Sequence, residues 1–465
     1  MSLLIPGTNS IKDTGYDVAN SVRLDGNAYL HKTQSGGNRK TWTMSCWTKL
    51  TGAYGSNGGM LMAANGTNDG TNFLFGIDNG GHSGSATDTL SLHIYGADGF
   101  RTTPVLRDYT AWYHIVLAMD TTQGTSTNRL KLYVNNVQQT LSEQSDYPAQ
   151  DAEMGVNNNG TVLGVGNHPG STSTYAINSY MAEFVLIDGL QLAPTEFGEY
   201  DSDSPTIWKP KDVSGLTFGT NGFYLDFEDA SNLGNDVNGG TDLTEVSLAA
   251  TDQSLDTCTN NHAVGNPLLN YNPNLTEGNL LLASTGTAWK NAMSTIGLSS
   301  GKWYHEVLIT AESAVPYGLI GVTDSYHPNS WGASPPNYVG VGALQIGYFN
   351  NNGTYYKSDS QNSYGASFTV NDIIGVLLDL DAGTPTIKFY KNDADQGSIN
   401  LPTSSNSTGL WFFMHSVYIQ TMSINYGSPA HAISTSNTDA NGYGNFEFAT
   451  KGGYTLNTKN LAEFG

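Results

Sequence analysis

Short runs of β-branched and aromatic residues, each closed by Gly, Asn, Asp or Ser, recur from one end of this chain to the other. Runs of that length are single strands, and the clusters between them carry turn chemistry. Leu130-Lys131-Leu132-Tyr133-Val134 alternates as a half-buried strand does, and Asn135-Asn136 predicts a hairpin turn. Further strands are expected at 41–50, 72–77, 89–95, 112–119, 180–187 and 222–227. A second block gives 302–309, 317–322, 339–349, 372–380, 386–390, 411–414 and 420–425. Residues 373–380 are almost wholly apolar, which suits a strand covered on both faces. One short helix is expected near 194–200, starting at Pro194. The fold class is all-β, with two β-sandwich domains in series.

Composition supports this. Charged residues are 13% of the 465, about half the usual share. Aromatics reach 11%, so the polarity is uncharged, and 54 glycines with many Asn, Ser and Thr favour turns over long helices. The formal net charge is −22 and no basic run occurs. Nucleic acid is therefore not an expected partner, since phosphate contacts need clustered Lys and Arg. An anionic membrane surface is disfavoured for the same reason, and no apolar window suggests membrane insertion. Neutral, hydroxyl-rich ligands and cations remain open. Cys46 and Cys258 cannot build a disulfide framework, and Cys46 reads as a core position. The opening MSLLIPGTNSIKDTG lacks the basic and apolar regions of an export signal.

Catalytic signatures were weighed against plain structure. Glu196-Phe197-Gly198-Glu199-Tyr200-Asp201 holds three acids, but not at the one-strand-face spacing of a glycosidase pair. Gly297-Leu298-Ser299-Ser300-Gly301 precedes a strand where a nucleophile elbow would precede a helix, so it reads as a turn. His305-Glu306 lacks the second His of a zinc site. The expectation is a non-enzymatic protein with no cofactor. Asp69, Asp78, Asp88, Asp98 and Asp120 are ligands for a structural calcium by residue type only. Trp42, Trp47, Trp112 and Trp303 read as core. Ligand-binding candidates are the loop residues Tyr326, His327, Trp331, Tyr338, Asn351, Asn352, Tyr355 and Tyr356. Rings there can stack on sugar faces while amides bond hydroxyls, and loops on rigid sandwiches are where binding residues sit. The bland reading, rings packing under their own loops, weighs equally.

Several of these segments resemble known families. Trp112-Tyr113-His114-Ile115-Val116 with residues 130–136, and Ala182-Glu183-Phe184-Val185-Leu186-Ile187-Asp188-Gly189, resemble the laminin-G/concanavalin-A-like jelly roll. Ser300-Gly301-Lys302-Trp303-Tyr304-His305-Glu306-Val307, Gly318-Leu319-Ile320-Gly321-Val322 and the pair 372–376 and 389–392 resemble a SPRY domain. The resemblance divides the chain into a concanavalin-A/laminin-G-like sandwich at 1–204, a connector with one strand at 205–265 and a SPRY-like sandwich at 266–465. The connector either bridges the domains or completes a sheet. The whole order is similar to virion-associated proteins of tailed bacteriophages, marine and cyanobacterial ones especially. That likeness implies a virion structural protein made in the host cytoplasm and placed on the virion surface. It implies a tail fibre, spike or capsid decoration among other virion proteins, a homo-oligomer such as a trimer, and a lectin-like first domain for host-surface carbohydrate. A spacer without glycan affinity and a polysaccharide-degrading glycosidase are the alternatives.

Overall fold

The computed structural model describes residues 15–65, 72–79, 87–94, 97–142, 147–268, 274–286, 288–324 and 338–465. Its elements are nearly all strands. The chain divides into two compact units, Thr14–Thr259 and a second formed by Asn260–Gly465.

Two eight-stranded sheets make the first unit. One is centred on Thr41–Tyr54, flanked by Trp112–Asp120 and Ile177–Asp188. The other is centred on Phe73–Asn79 and Gly59–Asn65. Alternation sends Trp42, Met44 and Cys46 inward, where they join Met62, Phe73 and Phe75 of the facing sheet in one core. Trp42 and Phe73 meet edge-on with centroids 5.4 Å apart. Trp42, Trp47, Trp112 and Trp303 are all buried, as expected for core residues.

The segment expected as a connector lends strands to this same sandwich. Phe223–Leu225 pairs with Ile177–Asp188, Thr244–Val246 with Tyr29–Thr33, and Gln253–Ser254 with Ser21–Asp25. It also carries Asp256, whose carboxylate lies 2.7 Å from Lys49 Nζ, both side chains 1% exposed. Trp112 Nε1 donates to the other carboxylate oxygen at 3.1 Å. Trp208 Nε1 donates to His114 Nδ1 at 2.9 Å. An indole can only donate, so His114 is neutral and its Nε2–H faces Ser45 Oγ at 2.8 Å. Burial holds His114 down to about 3.

The Asn135-Asn136 turn forms as its chemistry dictates. Both residues have positive φ, 47° and 66°, and the turn joins Leu130–Val134 to Val137–Gln138. The second unit repeats the device at Asn392 and Asp393, with φ 46° and 71°. Asn136→Val is expected to cost the first sandwich about 1–2 kcal/mol, and Asn136→Gly nothing comparable. Urea unfolding of the two variants checks this.

In the second unit, 302–309 and 317–322 are one strand, Lys302–Asp324, and 411–414 and 420–425 are one strand, Trp411–Asn425. Polar residues in the middle read as a break, but the backbone ladder continues past bulges. Of 339–349 only Gln345–Phe349 is strand, because Gly340 at φ +106° turns the chain. The helix expected near 194–200 is a single 3₁₀ turn, Pro194–Glu196, followed by the strand Gly198–Tyr200. A short α-helix, Thr458–Phe464, was not foreseen; Asn457 caps it by accepting from Asn460 N at 2.9 Å.

After Asn425 the chain wraps the outer face of the second sandwich. Phe446 packs with Tyr304, Leu377 and Tyr390. Ile373–Asp379 is thereby covered on both faces, as its apolar sequence predicts. Asp439 fixes the wrap by accepting from the backbone N of Asn441, Tyr443 and Thr455 and from Asn460 Nδ2. Inside, His305 is fully buried against Phe413, His415 and Tyr426, with ring centroids 4.1, 5.0 and 5.3 Å away. Neither of its ring nitrogens has a hydrogen-bond partner among the described residues.

Candidate functional site

The two long strands of the second unit run antiparallel from Glu306 opposite Asn425 to Asp324 opposite Trp411. Between Glu312 and Tyr317 the register slips, and Ile419 opposite the slip adopts φ +54°. A β-branched side chain there costs of order 1–3 kcal/mol, a strain commonly held at functional positions. Bulges re-aim side chains. Beside this one Tyr317 and Tyr418 lie 6.0 Å apart, and both rings approach Trp289, at 6.4 and 5.6 Å.

The next wall comes from the turn after Gln345–Phe349. Asn350 is buried and ties the turn to the long strand: its Oδ1 accepts from Gly318 N at 2.8 Å and its N donates to Gly318 O at 3.0 Å. Gly353 closes the turn at φ +70°, where a Cβ would lie 2.2 Å from Gly365 O. Asn352 Oδ1 accepts from N and Oγ1 of Thr354 at 3.2 and 2.7 Å. Its Nδ2, and the whole amide of Asn351, have no partner among the described residues, and both side chains are exposed. Tyr355–Lys357 follows, and Tyr356 meets Tyr338 and Phe349 edge-on at 5.4 and 5.8 Å.

These pieces enclose a pocket of about 360 Å³ lined by Trp289, Tyr317, Leu319, Tyr338, Phe349, Asn351, Asn352, Tyr356 and Gln361. The volume falls at the lower end of small-ligand sites, about 300–1,000 Å³. Rings form most of the lining, and three amides supply donors and acceptors. No lining residue carries a formal charge. Burial raises the Tyr338 hydroxyl to about 12, with Tyr356 and Asp359 pushing the same way, so it stays a neutral donor.

Of the sequence candidates, Tyr338, Asn351, Asn352 and Tyr356 come together here. Tyr355 is not in the lining; alternation turns it away, edge-on to Tyr364 at 5.6 Å. Tyr326, His327 and Trp331 lie outside the described residues. Sequence reasoning missed Trp289, Tyr317, Phe349 and Gln361: Tyr317 and Phe349 are placed by pairing with distant strands, and Gln361 by the short hairpin that sets it opposite Tyr356.

The other motifs resolve into structure. Gly297–Gly301 is the turn before Lys302–Asp324, and Gly301 N donates to Asp381 Oδ1 at 2.8 Å. His305 faces the core, while Glu306 accepts from the N of Glu447 and Phe448 and from the Tyr304 hydroxyl. Asp201 accepts from the N of Asp203 and Ser204 and pairs with Lys209 at 3.3 Å. Among the described residues no three His, Cys, Asp or Glu side chains converge as metal ligands. Asp120 is taken up by Thr41, Thr122 and Gln123. Asp69, and the side chain of Asp98, lie outside the described residues. In the first sandwich Glu183 sits at a bulge with φ +49°, accepting from the Tyr224 and Tyr16 hydroxyls at 2.8 and 3.1 Å. Burial lifts it to about 7.

Residues 24–189 match the concanavalin A-like lectin/glucanases superfamily, and residues 302–427 match the SPRY domain. The chain thus carries a concanavalin A-like domain followed by a SPRY domain, both β-sandwiches. Similar solved structures include the SPRY domain of human HERC1, at 19% identity and TM-score 0.25, covering 31% of this chain and 87% of that one. A Bacteroides ovatus chain described as a candidate carbohydrate-binding protein is similar at 16% identity and TM-score 0.37, covering 50% of this chain and 58% of its own. Among the described residues no helix is long and apolar enough to cross a membrane.

Proposed function

We propose that this protein binds glycans through the aromatic pocket of its second sandwich and performs no chemistry on them. The observation that carries the reading is the union of a ring-lined hollow with two unengaged groups at its rim, the amide of Asn351 and Nδ2 of Asn352. A sugar ring has apolar C–H faces and polar edges. Ring side chains take the faces and amides take the hydroxyls, which is the mix small-ligand sites use. The concanavalin A-like match of the first domain supports the same class of ligand.

The finer reading is a virion component of a tailed bacteriophage, a fibre or spike that meets host-surface carbohydrate as a homo-oligomer. Its support is the order of the two sandwiches and a composition low in charged residues and rich in Asn and Gly. Immunogold labelling of purified particles tests that placement: gold at the tail or capsid surface is expected, and unlabelled particles contradict it.

A glycan array probed with the full-length chain, with and without calcium, tests the binding. Wild type is expected to bind a defined set of glycans saturably. Asn351→Ala, which removes an exposed amide with no internal partner, is expected to weaken that binding about tenfold, the worth of one to two hydrogen bonds. A correctly folded chain that binds no glycan would leave the spacer or decoration role. The glycosidase alternative requires a carboxylate pair drawn from different strands. It also requires hydrolysis of host polysaccharide that one Asp or Glu substitution abolishes.

A further inference from the structure

Resting on the glycan reading above, we infer that the pocket selects uncharged sugars and rejects acidic ones. The selection follows from what surrounds the site. Among the described residues, none of the nine that line it is charged. A sugar carboxylate entering here would lose water and meet neither guanidinium nor ammonium. Lys357, on the same strand as Tyr356, is engaged elsewhere, its Nζ donating to Asn400 O at 2.8 Å. Asp359 adds a negative charge that opposes ionisation of the Tyr338 hydroxyl. The chain as a whole carries −22, which repels anions at longer range.

Neutral partners fare differently. Asn351, Asn352 Nδ2 and the Gln361 carbonyl offer both donors and acceptors at the rim, and Gln361 is held in place by its Nε2 donating to Thr354 Oγ1 at 2.9 Å. Hydroxyl and acetamido groups satisfy such amides without leaving a charge unpaired. An unpaired buried charge is the costlier error, so specificity comes from exclusion as much as from attraction.

The test uses pairs of methyl glycosides that differ only at C6: glucose with glucuronate, galactose with galacturonate and mannose with mannuronate. Binding to the full-length chain is read by saturation-transfer difference NMR at low and at physiological salt. At least one neutral glycoside is expected to bind saturably, with its uronate at least tenfold weaker. Asn351→Lys, which sets a cation on the rim, is expected to narrow that gap by raising uronate affinity. Equal binding of a neutral sugar and its uronate overturns the selection and leaves the glycan reading intact. Failure of every neutral glycoside, or binding of tetramethylammonium in their place, overturns both.

Discussion

Lowering the pH from 7 to 5 is expected to destabilise the second sandwich by about 4 kcal/mol through His305 and His415. Both rings are fully buried. Burial holds His305 well below its ordinary 6.5, with His415 pushing the same way, and burial brings His415 down to about 3. Because the folded values lie below the unfolded one, the unfolded chain takes protons first. The histidines' contribution is complete above about pH 6.5 and drains away as pH falls toward the folded values. Each supplies a slope of about 1.4 kcal/mol per pH unit in that window. Glu306, in the same unit, works against them: burial raises its carboxyl, so it favours the folded state as pH falls toward 4.5. The histidine effect is therefore read as a difference between variants. His305→Phe keeps the ring and removes two unpartnered nitrogens. It is expected to stabilise the second unit at pH 7 by roughly 1–3 kcal/mol and to flatten its pH profile by about 1.4 kcal/mol per unit. Urea midpoints at pH 7.5, 6 and 5 measure both, and parallel profiles for wild type and variant would contradict the account.

Lys49→Met is expected to lower the stability of the first sandwich by about 3–5 kcal/mol. The change removes one member of a buried ion pair and takes the counter-charge from the Asp256 carboxylate, to which Trp112 Nε1 also donates. The ion pair also lies beside Tyr180, with Nζ 5.6 Å from the ring centroid. Removing both charges is a different matter. Lys49→Met with Asp256→Leu is expected to recover most of the loss, short of the indole's missing acceptor, because a buried pair stabilises little beyond an apolar replacement. Thermal unfolding of the single and double variants separates the two cases. A single variant within 1 kcal/mol of wild type is incompatible with a closed, dry site.

What the sequence made legible was local. The Asn135-Asn136 turn could be read because positive φ is a property of the residues in it. Trp42, Trp303 and Cys46 could be placed in cores because alternation survives in their strands. The doubly covered strand Ile373–Asp379 announced itself by an unbroken apolar run, although the tail that covers it did not. Long strands were cut in two where bulges interrupt the pattern, since a bulge and a turn share the same residues until the ladder is seen. Of the segment 205–259 only the strand at 222–227 could be read, for a related reason: its strands are two or three residues long, and Phe223–Leu225, Thr244–Val246 and Gln253–Ser254 each pair with a partner far away in sequence. The pocket shows the same division. Asn351, Asn352 and Tyr338 stood out as turn residues with binding chemistry. Between Tyr355 and Tyr356 only strand parity decides, and parity is fixed by pairing with Gln345–Phe349. Trp289 and Tyr317 carried no binding signal of their own, because each, taken alone, is half-buried aromatic packing.

The central claim is that glycan recognition resides in the pocket of the second sandwich. The most direct measurement is a crystal structure of the full-length chain with the tightest glycan from the array. A sugar ring seated against Trp289 and Tyr356, with hydroxyls bonded to Asn351 and Asn352, is the predicted result. Glycan bound on the first, concanavalin A-like sandwich with this pocket empty would contradict it.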